Sequence, residues 1–252
     1  MSGLTLNRLR PGPCEEVAAS VAYRYPEGTR RHLRVNMVSS IDGAATLDGH
    51  VGTLTGPADQ RLLVLLRALA DVLVVGAGTI RAEGYGPLTV DPELRPLREQ
   101  AGQGPAPRLV VPTRSLDLDF GSAAFAEAVE PPLVVTTSLV PADRLRAAKA
   151  VAEVVVLGEH AVDLDAMVHL LAERGAGRIL CEGGPALLNG LLSADLVDEL
   201  CLAVAPVVAS GHESRITAGP PLPAPLPMHL AQVAERDEFL FLSYSRISPK
   251  RP

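Results

Sequence analysis

The chain has 252 residues and a mass of 26.5 kDa, with 47% hydrophobic and 21% charged side chains, which suits a globular fold and excludes disorder as its main state. Its formal net charge is −6, from 23 basic and 29 acidic side chains, and aromatics make up only 3% with no tryptophan. That balance argues against nucleic-acid binding, which needs a basic surface and favours base-stacking aromatics, and it leaves a core of Ala, Val and Leu. Residues 1–31 are polar and punctuated by Pro11, Pro13, Pro26 and Gly28. They read as an N-terminal arm with one short helix at 14–21. The run at 33–39 alternates and stops before Asp42 and Gly43, which predicts a strand. Pro57 followed by Leu62, Leu65, Leu66 and Leu69 at helical spacing predicts a helix, and "DVLVVGAG" after it is a buried strand running into glycines.

Residues 91–107, with Pro92, Pro96, Pro105 and Pro107, read as a loop. Strands follow at 108–112, 132–136, 153–157 and 178–181, and helices at 141–150, 163–173 and 185–193. Short β-branched runs alternating with helices build βαβ units and a parallel sheet buried on both faces. The rhythm then breaks. "LVDELCLAVAPVV" holds a long strand, a proline-rich loop runs from Pro220 to Pro227, and two strand-like runs at 228–234 and 238–247 flank a short turn at 235–237. Those last two predict an antiparallel hairpin. The sum is one α/β domain over residues 32–252, with a mixed, mostly parallel sheet flanked by helices.

Cys14, Cys181 and Cys201 are odd in number and widely spaced, so neither a disulfide framework nor a zinc site is expected, and a reducing cytoplasm is the expected compartment. The six histidines are scattered without metal-ligand spacing, so no metal is expected. The first thirteen residues lack the apolar stretch of a signal peptide, and no run is long enough to cross a bilayer.

In open α/β sheets, ligands bind at the carboxyl ends of strands. Two strand-to-helix turns there are glycine-rich: Gly76-Ala77-Gly78-Thr79 and Glu182-Gly183-Gly184-Pro185. Each reads either as a tight connection or as a backbone cradle feeding a helix N-terminus; two on one edge favour a phosphate-bearing cofactor. The first is not a full dinucleotide fingerprint, because Arg81 stands where its third glycine belongs. Thr113-Arg114-Ser115 closes another strand, and Arg114 reads either as a solvated loop arginine or as a holder of the 2′-phosphate of NADPH. Asp42 is equally an ordinary turn acid or a functional group on the same edge.

The stretches "VSSIDG", "TGPADQRLLVLLRALADVLVVGAGTIRAEG" and "LCEGGPALLNGLLSADLVDELCLAVAPVV", in that order, resemble the riboflavin-biosynthesis reductase family, the C-terminal reductase domain of bifunctional RibD. The resemblance covers residues 33–247 and implies a dihydrofolate-reductase-like fold. The His-x-Glu and Pro-Cys-x-x-Cys signature of the companion deaminase is missing, so the chain reads as a free-standing reductase. The family's NADPH contacts carry over to Thr79, Glu83, Thr113 and the segment that opens with Gly184, Pro185, Ala186, Leu187 and Leu188. Gly76, Gly78, Arg114 and Gly183 join them from the strand-end turns. The family's substrate contacts carry over to Arg67, Leu88 and Glu182, with Asn36 also facing the substrate. Asp42 and Glu182 are assigned to the catalytic side, as hydrogen-bond acceptors or a proton relay.

Three departures from the family pattern stand out. Asn36 replaces a lysine, Leu88-Thr89-Val90-Asp91 replaces an L-T-x-R segment, and Gly52-Thr53-Leu54-Thr55 lacks the family's tryptophan. Two cations lost and one anion gained disfavour a phosphate held from position 91, unless Arg81 or Arg95 supplies the charge from another loop. The resemblance implies an NADPH-dependent reductase acting on a ribosylaminopyrimidine or related small molecule. The alternatives are a dihydrofolate reductase, whose pterin has no phosphate to hold, and an NADPH-binding protein without turnover. A homodimer is expected, because "LCLAVAPVV" and "FLFLSYSRI" are more safely buried in an interface than exposed as an edge.

Overall fold

The computed structural model describes residues 3–247, apart from positions 11 and 13. In chain order it contains β1 (Thr5–Arg10), β2 (Glu15–Ala18), α1 (Ala19–Ala22), β3 (His32–Ser39), α2 (Pro57–Leu69), β4 (Val72–Val74) and α3 (Ala77–Glu83). A 3-10 turn (Pro92–Leu94) leads into α4 (Arg95–Gln100), β5 (Arg108–Pro112), α5 (Ala123–Ala126), β6 (Leu133–Thr136), α6 (Ala142–Lys149) and β7 (Glu153–Val156). Then come α7 (Leu164–Glu173), β8 (Arg178–Cys181), α8 (Pro185–Ser193), β9 (Glu199–Val204), β10 (Met228–Arg236) and β11 (Phe239–Arg246). All these strands form one sheet in the order β2-β1-β10-β11-β9-β3-β8-β4-β5-β6-β7. The pairs from β9 through β7 are parallel, and those from β9 out to β2 are antiparallel.

The parallel wing follows from its apolar runs. β4 and β6 are buried at every position, because helices cover both faces. Side chains alternate between two cores: Leu73, Val111, Val134 and Leu180 meet Leu62 and Leu66 of α2, while Val72, Val74, Val110 and Ile179 meet Met167 and Leu171 of α7 and Leu188 and Leu191 of α8. Each such aliphatic side chain contributes about 1.5–3 kcal/mol of burial. In α2, Pro57 sits in the first turn, where its missing N–H costs nothing. In α7, the Asp163 carboxylate accepts from Ala166 N at 2.9 Å and closes the helix start.

Several local expectations are corrected. The helix expected at 14–21 is a strand over Glu15–Ala18 and a single helical turn over Ala19–Ala22. β1 offers Glu15–Ala18 an antiparallel ladder, Thr5 opposite Ala18 through Arg8 opposite Glu15, and that pairing overrides local preference. The stretch expected as an arm thus supplies two strands, and β1 continues the sheet beside β10. The loop expected at 91–107 contains the 3-10 turn and α4; Pro92 and Pro96 lie in their opening turns, where proline starts a helix instead of breaking it. The hairpin turn is Asp237-Glu238 and not 235–237. Both residues have positive φ (52° and 69°), as a two-residue hairpin turn requires. The expected domain runs on to residue 252, but 248–252 lie outside the described residues. No helix among the described residues is long and apolar enough to cross a membrane.

Candidate active site

The carboxyl ends of β3, β4, β5 and β8 share one edge of the sheet, as parallel pairing demands. A cavity of about 530 Å³ opens there. β3 contributes Asn36 and Met37 to its wall, α2 contributes Asp59, Leu63 and Arg67, and α3 contributes Thr79 and Glu83. The segment after α3 adds Tyr85, Leu88 and Asp91, and Glu182 closes the wall from the end of β8.

Glu182 is the electrostatic centre of the cavity. Arg67 Nε donates to its Oε1 and Arg67 Nη2 to its Oε2, both at 2.7 Å, a two-pronged ion pair. Tyr85 Oη donates to Oε2 at 2.8 Å, and the Arg67 guanidinium lies 5.5 Å from the Tyr85 ring centroid. Burial and the Glu182 charge both raise the Tyr85 phenol, so it stays a donor. Burial alone lowers Arg67, but its hydrogen bond and ion pair with Glu182 raise it above its ordinary value. Both carboxylate oxygens are thus held by these donors, with acceptor capacity left for a further N–H.

Asp59, which sequence reasoning passed over, shares the cavity. Gly56 caps the start of α2, and an added Cβ there would come within 2.7 Å of the Phe239 ring, so the start of the helix is pressed onto β11. Three residues on, Asp59 is only 5% exposed, and burial raises its carboxyl to about 6. An Ala-Asp-Gln sequence in a first helical turn reads as an ordinary acid facing the helix dipole, and no sequence signal marks it as buried.

The two glycine turns meet. Gly76 N donates to Gly183 O at 2.7 Å, and an added Cβ on Gly76 would stand 3.0 Å from Gly184 N. A Cβ on Gly184 would stand 2.6 Å from Thr79 Oγ1, so Thr79 links the turns to the cavity. Gly183 has φ +81°, a conformation that glycine adopts without strain. Gly78 is helical, inside α3. Gly184 caps α8, and the first helical bond is Leu188 N to Gly184 O at 3.0 Å. Ahead of it Pro185 has no N–H, and the N–H groups of Ala186 and Leu187 have no partner within the helix. This open helix start beside close-packed glycines suits a pyrophosphate. The Leu188 side chain is fully buried in the core and its N–H is used by the helix, which leaves it no means of direct contact with a ligand.

The cavity thus brings together Asn36, Arg67, Thr79, Glu83, Leu88 and Glu182. The structure does not bring Asp42 to it. Asp42 is exposed, and it accepts from Ser40 Oγ at 2.6 Å, Ala209 N at 3.0 Å and Ser210 N at 2.7 Å. Those bonds lower its carboxyl to about 2, so it is an ionised clamp between two loops and holds no proton to give. Thr113 is buried and its Oγ1 accepts from Leu116 N at 3.1 Å, while Arg114 faces solvent at the end of β5. Arg81 donates to Asp117 O at 2.7 Å and does not line the cavity. Arg95 stands beside Arg98 in a different depression.

The sequence model of the RibD C-terminal domain matches residues 31–240. Two archaeal proteins named 2,5-diamino-6-ribosylamino-4(3H)-pyrimidinone 5′-phosphate reductase are similar in sequence. The one from Archaeoglobus fulgidus is 31% identical over 186 residues, covering 73% of this chain and 84% of its own. The one from Methanothermobacter thermautotrophicus is 31% identical over 182 residues, covering 69% and 80%. Among solved structures, a pyrimidine reductase-like protein from Corynebacterium diphtheriae superposes with a TM-score of 0.82 at 29% identity, over 92% of this chain and all of that one. The mixed sheet with its C-terminal hairpin is the dihydrofolate-reductase-like arrangement of these reductases. With the match spanning most of its length, this chain belongs to the RibD C-terminal domain family.

Proposed function

We propose that the protein is a nicotinamide-dependent reductase of the riboflavin-pathway type, which converts the ribosyl group of a ribosylaminopyrimidine to ribityl. The observation that carries this reading is the Glu182 carboxylate, locked by Arg67 and Tyr85 in a cavity that adjoins the paired glycine turns. A fixed carboxylate accepts from the N–H groups of a pyrimidine ring and so orients the substrate. Gly76, Gly183, Gly184 and the open N–H groups of Ala186 and Leu187 would hold the cofactor pyrophosphate, and Thr79, beside Gly184, and Glu83 line the adjoining cavity. A bound reduced nicotinamide supplies the hydride. Similarity to proteins named as pyrimidine reductases favours this reading over dihydrofolate reduction or cofactor sensing without turnover.

The preferred cofactor is NADPH. Arg114 is exposed at the end of β5, beside Thr113 and Ser115, with its guanidinium available to a 2′-phosphate. A charge-assisted contact of this kind contributes about 1.5–3 kcal/mol, or roughly tenfold or more in affinity. Absorbance assays of NADPH oxidation with the ribosylaminopyrimidine phosphate, with dihydrofolate and with neither test the activity. Turnover on the pyrimidine alone is expected, and turnover on dihydrofolate alone overturns the reading. Calorimetric titration with NADPH and NADH tests the preference, and equal dissociation constants sink it.

The protein acts as a cytoplasmic homodimer. On the face of the antiparallel wing turned away from Phe241, Leu240 lies opposite Val204, Leu242 opposite Leu202, and Tyr244 opposite Leu200. All six are half-buried or exposed, an apolar panel that a second copy would cover.

A further inference from the structure

We propose that Asp59 is the general acid of this site, giving its proton to the ribose ring oxygen as the sugar opens. The inference rests on the functional reading above. Reduction of a ribosylamine to a ribitylamine needs one hydride and one proton. The C1′–O4′ bond breaks as O4′ takes the proton, and the exocyclic nitrogen lone pair forms a C=N bond to C1′. The hydride from the reduced cofactor then adds to C1′, and the C=N electrons return to nitrogen. The hydride equivalent comes from the cofactor, so the protein must provide the proton.

Elimination within the cavity leaves one group able to provide it. Its wall among the described residues has no histidine, lysine or cysteine. The Glu182 carboxylate accepts from Arg67 and from Tyr85, and the Tyr85 proton is committed to that bond. Glu83 and Asp91 are exposed to water, and Glu83 Oε1 accepts from Val51 N at 3.3 Å. Asp59 is 5% exposed and, unlike the equally buried Glu182 side chain, its carboxyl has no hydrogen bond or ion pair with any described residue. It stands one helical turn from Leu63 and two from Arg67, so the face of α2 that carries the ion pair also presents this acid to the cavity.

The charge environment agrees. Arg67 on α2 is neutralised by Glu182 from β8, and Glu83 and Asp91 face the cavity from α3 and the segment after it. Arg98 of α4 is spent at the far end of α2, where it donates to Ala68 O and Ala70 O. Burial is the one cause that shifts the Asp59 carboxyl, and it favours the protonated form. Asn36, on the same cavity wall, carries no proton that it could give at neutral pH.

The experiment compares wild type, Asp59→Asn and Asp59→Glu. For the loaded enzyme, kcat and KM for the ribosylaminopyrimidine phosphate are measured across pH. Asp59→Asn is expected to lose about 10²- to 10⁴-fold in kcat with little change in KM, and to lose the limb that falls as pH rises through about 6. Asp59→Glu is expected to recover part of the rate, which separates proton donation from a packing defect. For the protein without substrate or cofactor, infrared difference spectra are taken during a pH titration. A protonated-carboxyl carbonyl band that titrates near 6 in wild type and is missing in Asp59→Asn supports the assignment. Wild-type kcat and pH profile in Asp59→Asn, or an Asp59 band already lost below pH 4, overturns the role of Asp59 and leaves the reductase reading intact. Failure of wild type to reduce the pyrimidine overturns that reading and this proposal with it, whatever the infrared titration shows.

Discussion

Asp59 is a stability liability at neutral pH. Its carboxyl is raised to about 6 in the fold against 3.8 for an unperturbed group, so the native state binds the proton more tightly than the unfolded chain does. Its contribution to stability is therefore fully present below about pH 4 and is lost as pH rises from about 4 to 6, by about 3 kcal/mol in total. Asp59→Asn removes the penalty. Urea unfolding is expected to show variant and wild type alike at pH 4 and the variant about 2–3 kcal/mol more stable at pH 7; equal stability at both would contradict it. Asp91 makes a separate case. It lines the cavity mouth, exposed, where the family pattern has an arginine. Solvent screening limits its effect on a phosphate to about 1 kcal/mol, so Asp91→Arg is expected to lower KM for the phosphorylated substrate severalfold and leave the dephosphorylated one unchanged. An unchanged ratio of the two KM values means that position 91 does not meet the phosphate. Sequence placed Glu182, Arg67 and Asn36 in the site through resemblance. It misplaced Asp42, because a strand-end Asp-Gly looks the same whether its carboxylate faces a substrate or binds two backbone amides across a loop.

Among the elements, the meeting of the two glycine turns carries the next test. Gly184 has φ −75°, which alanine adopts freely, so the cost of Gly184→Ala lies in the Cβ that would stand 2.6 Å from Thr79 Oγ1. The expected loss is about 1–3 kcal/mol with weaker cofactor binding. Thr79→Ala in the same chain removes the clash and restores the melting temperature. A single variant that melts like wild type would show that the turns have room to spare. The strands of the parallel wing were readable to within a residue, since burial on both faces demands continuous apolar runs. Glu15–Ala18 was not readable, because its strand state depends on a ladder to β1 and not on its own composition. The prolines of residues 92–96 misled for a related reason: proline breaks a helix interior and opens a helix start, and only the fold says which applies.

For the whole molecule, the dimer stays a proposal, and the reason first given for it does not hold. β9 and β11 are internal strands, so neither is the exposed edge that motivated it; β2 and β7 are the edges. What invites association is a face, the panel of Leu200, Leu202, Val204, Leu240, Leu242 and Tyr244. Light scattering is expected to give about twice the 26.5 kDa chain mass, and Leu242→Arg to shift it toward the monomer. A concentration-independent mass of one chain in wild type rejects the dimer. The α/β class and the C-terminal hairpin were legible from periodicity. The order of the antiparallel wing was not, because it pairs residues from opposite ends of the sequence.

That last pairing has a kinetic meaning. Asn7 lies opposite Glu235, and its side-chain amide donates to the Glu235 carboxylate at 3.0 Å. Joining partners so far apart along the chain closes a loop of nearly its full length, whose entropy cost grows as the logarithm of that length and reaches about 5 kcal/mol. In the parallel wing only β4, β5, β6 and β7 pair through short crossovers; β3 meets β8 with His32 opposite Arg178 and β9 with Arg34 opposite Glu199, closures that are also long and, on a logarithmic scale, nearly as costly. The run from β4 to β7 is therefore expected to pair first during folding, and the edge strands β2 and β7 are expected to lose their amide protons to solvent before the strands between them, which hydrogen exchange on the native protein checks.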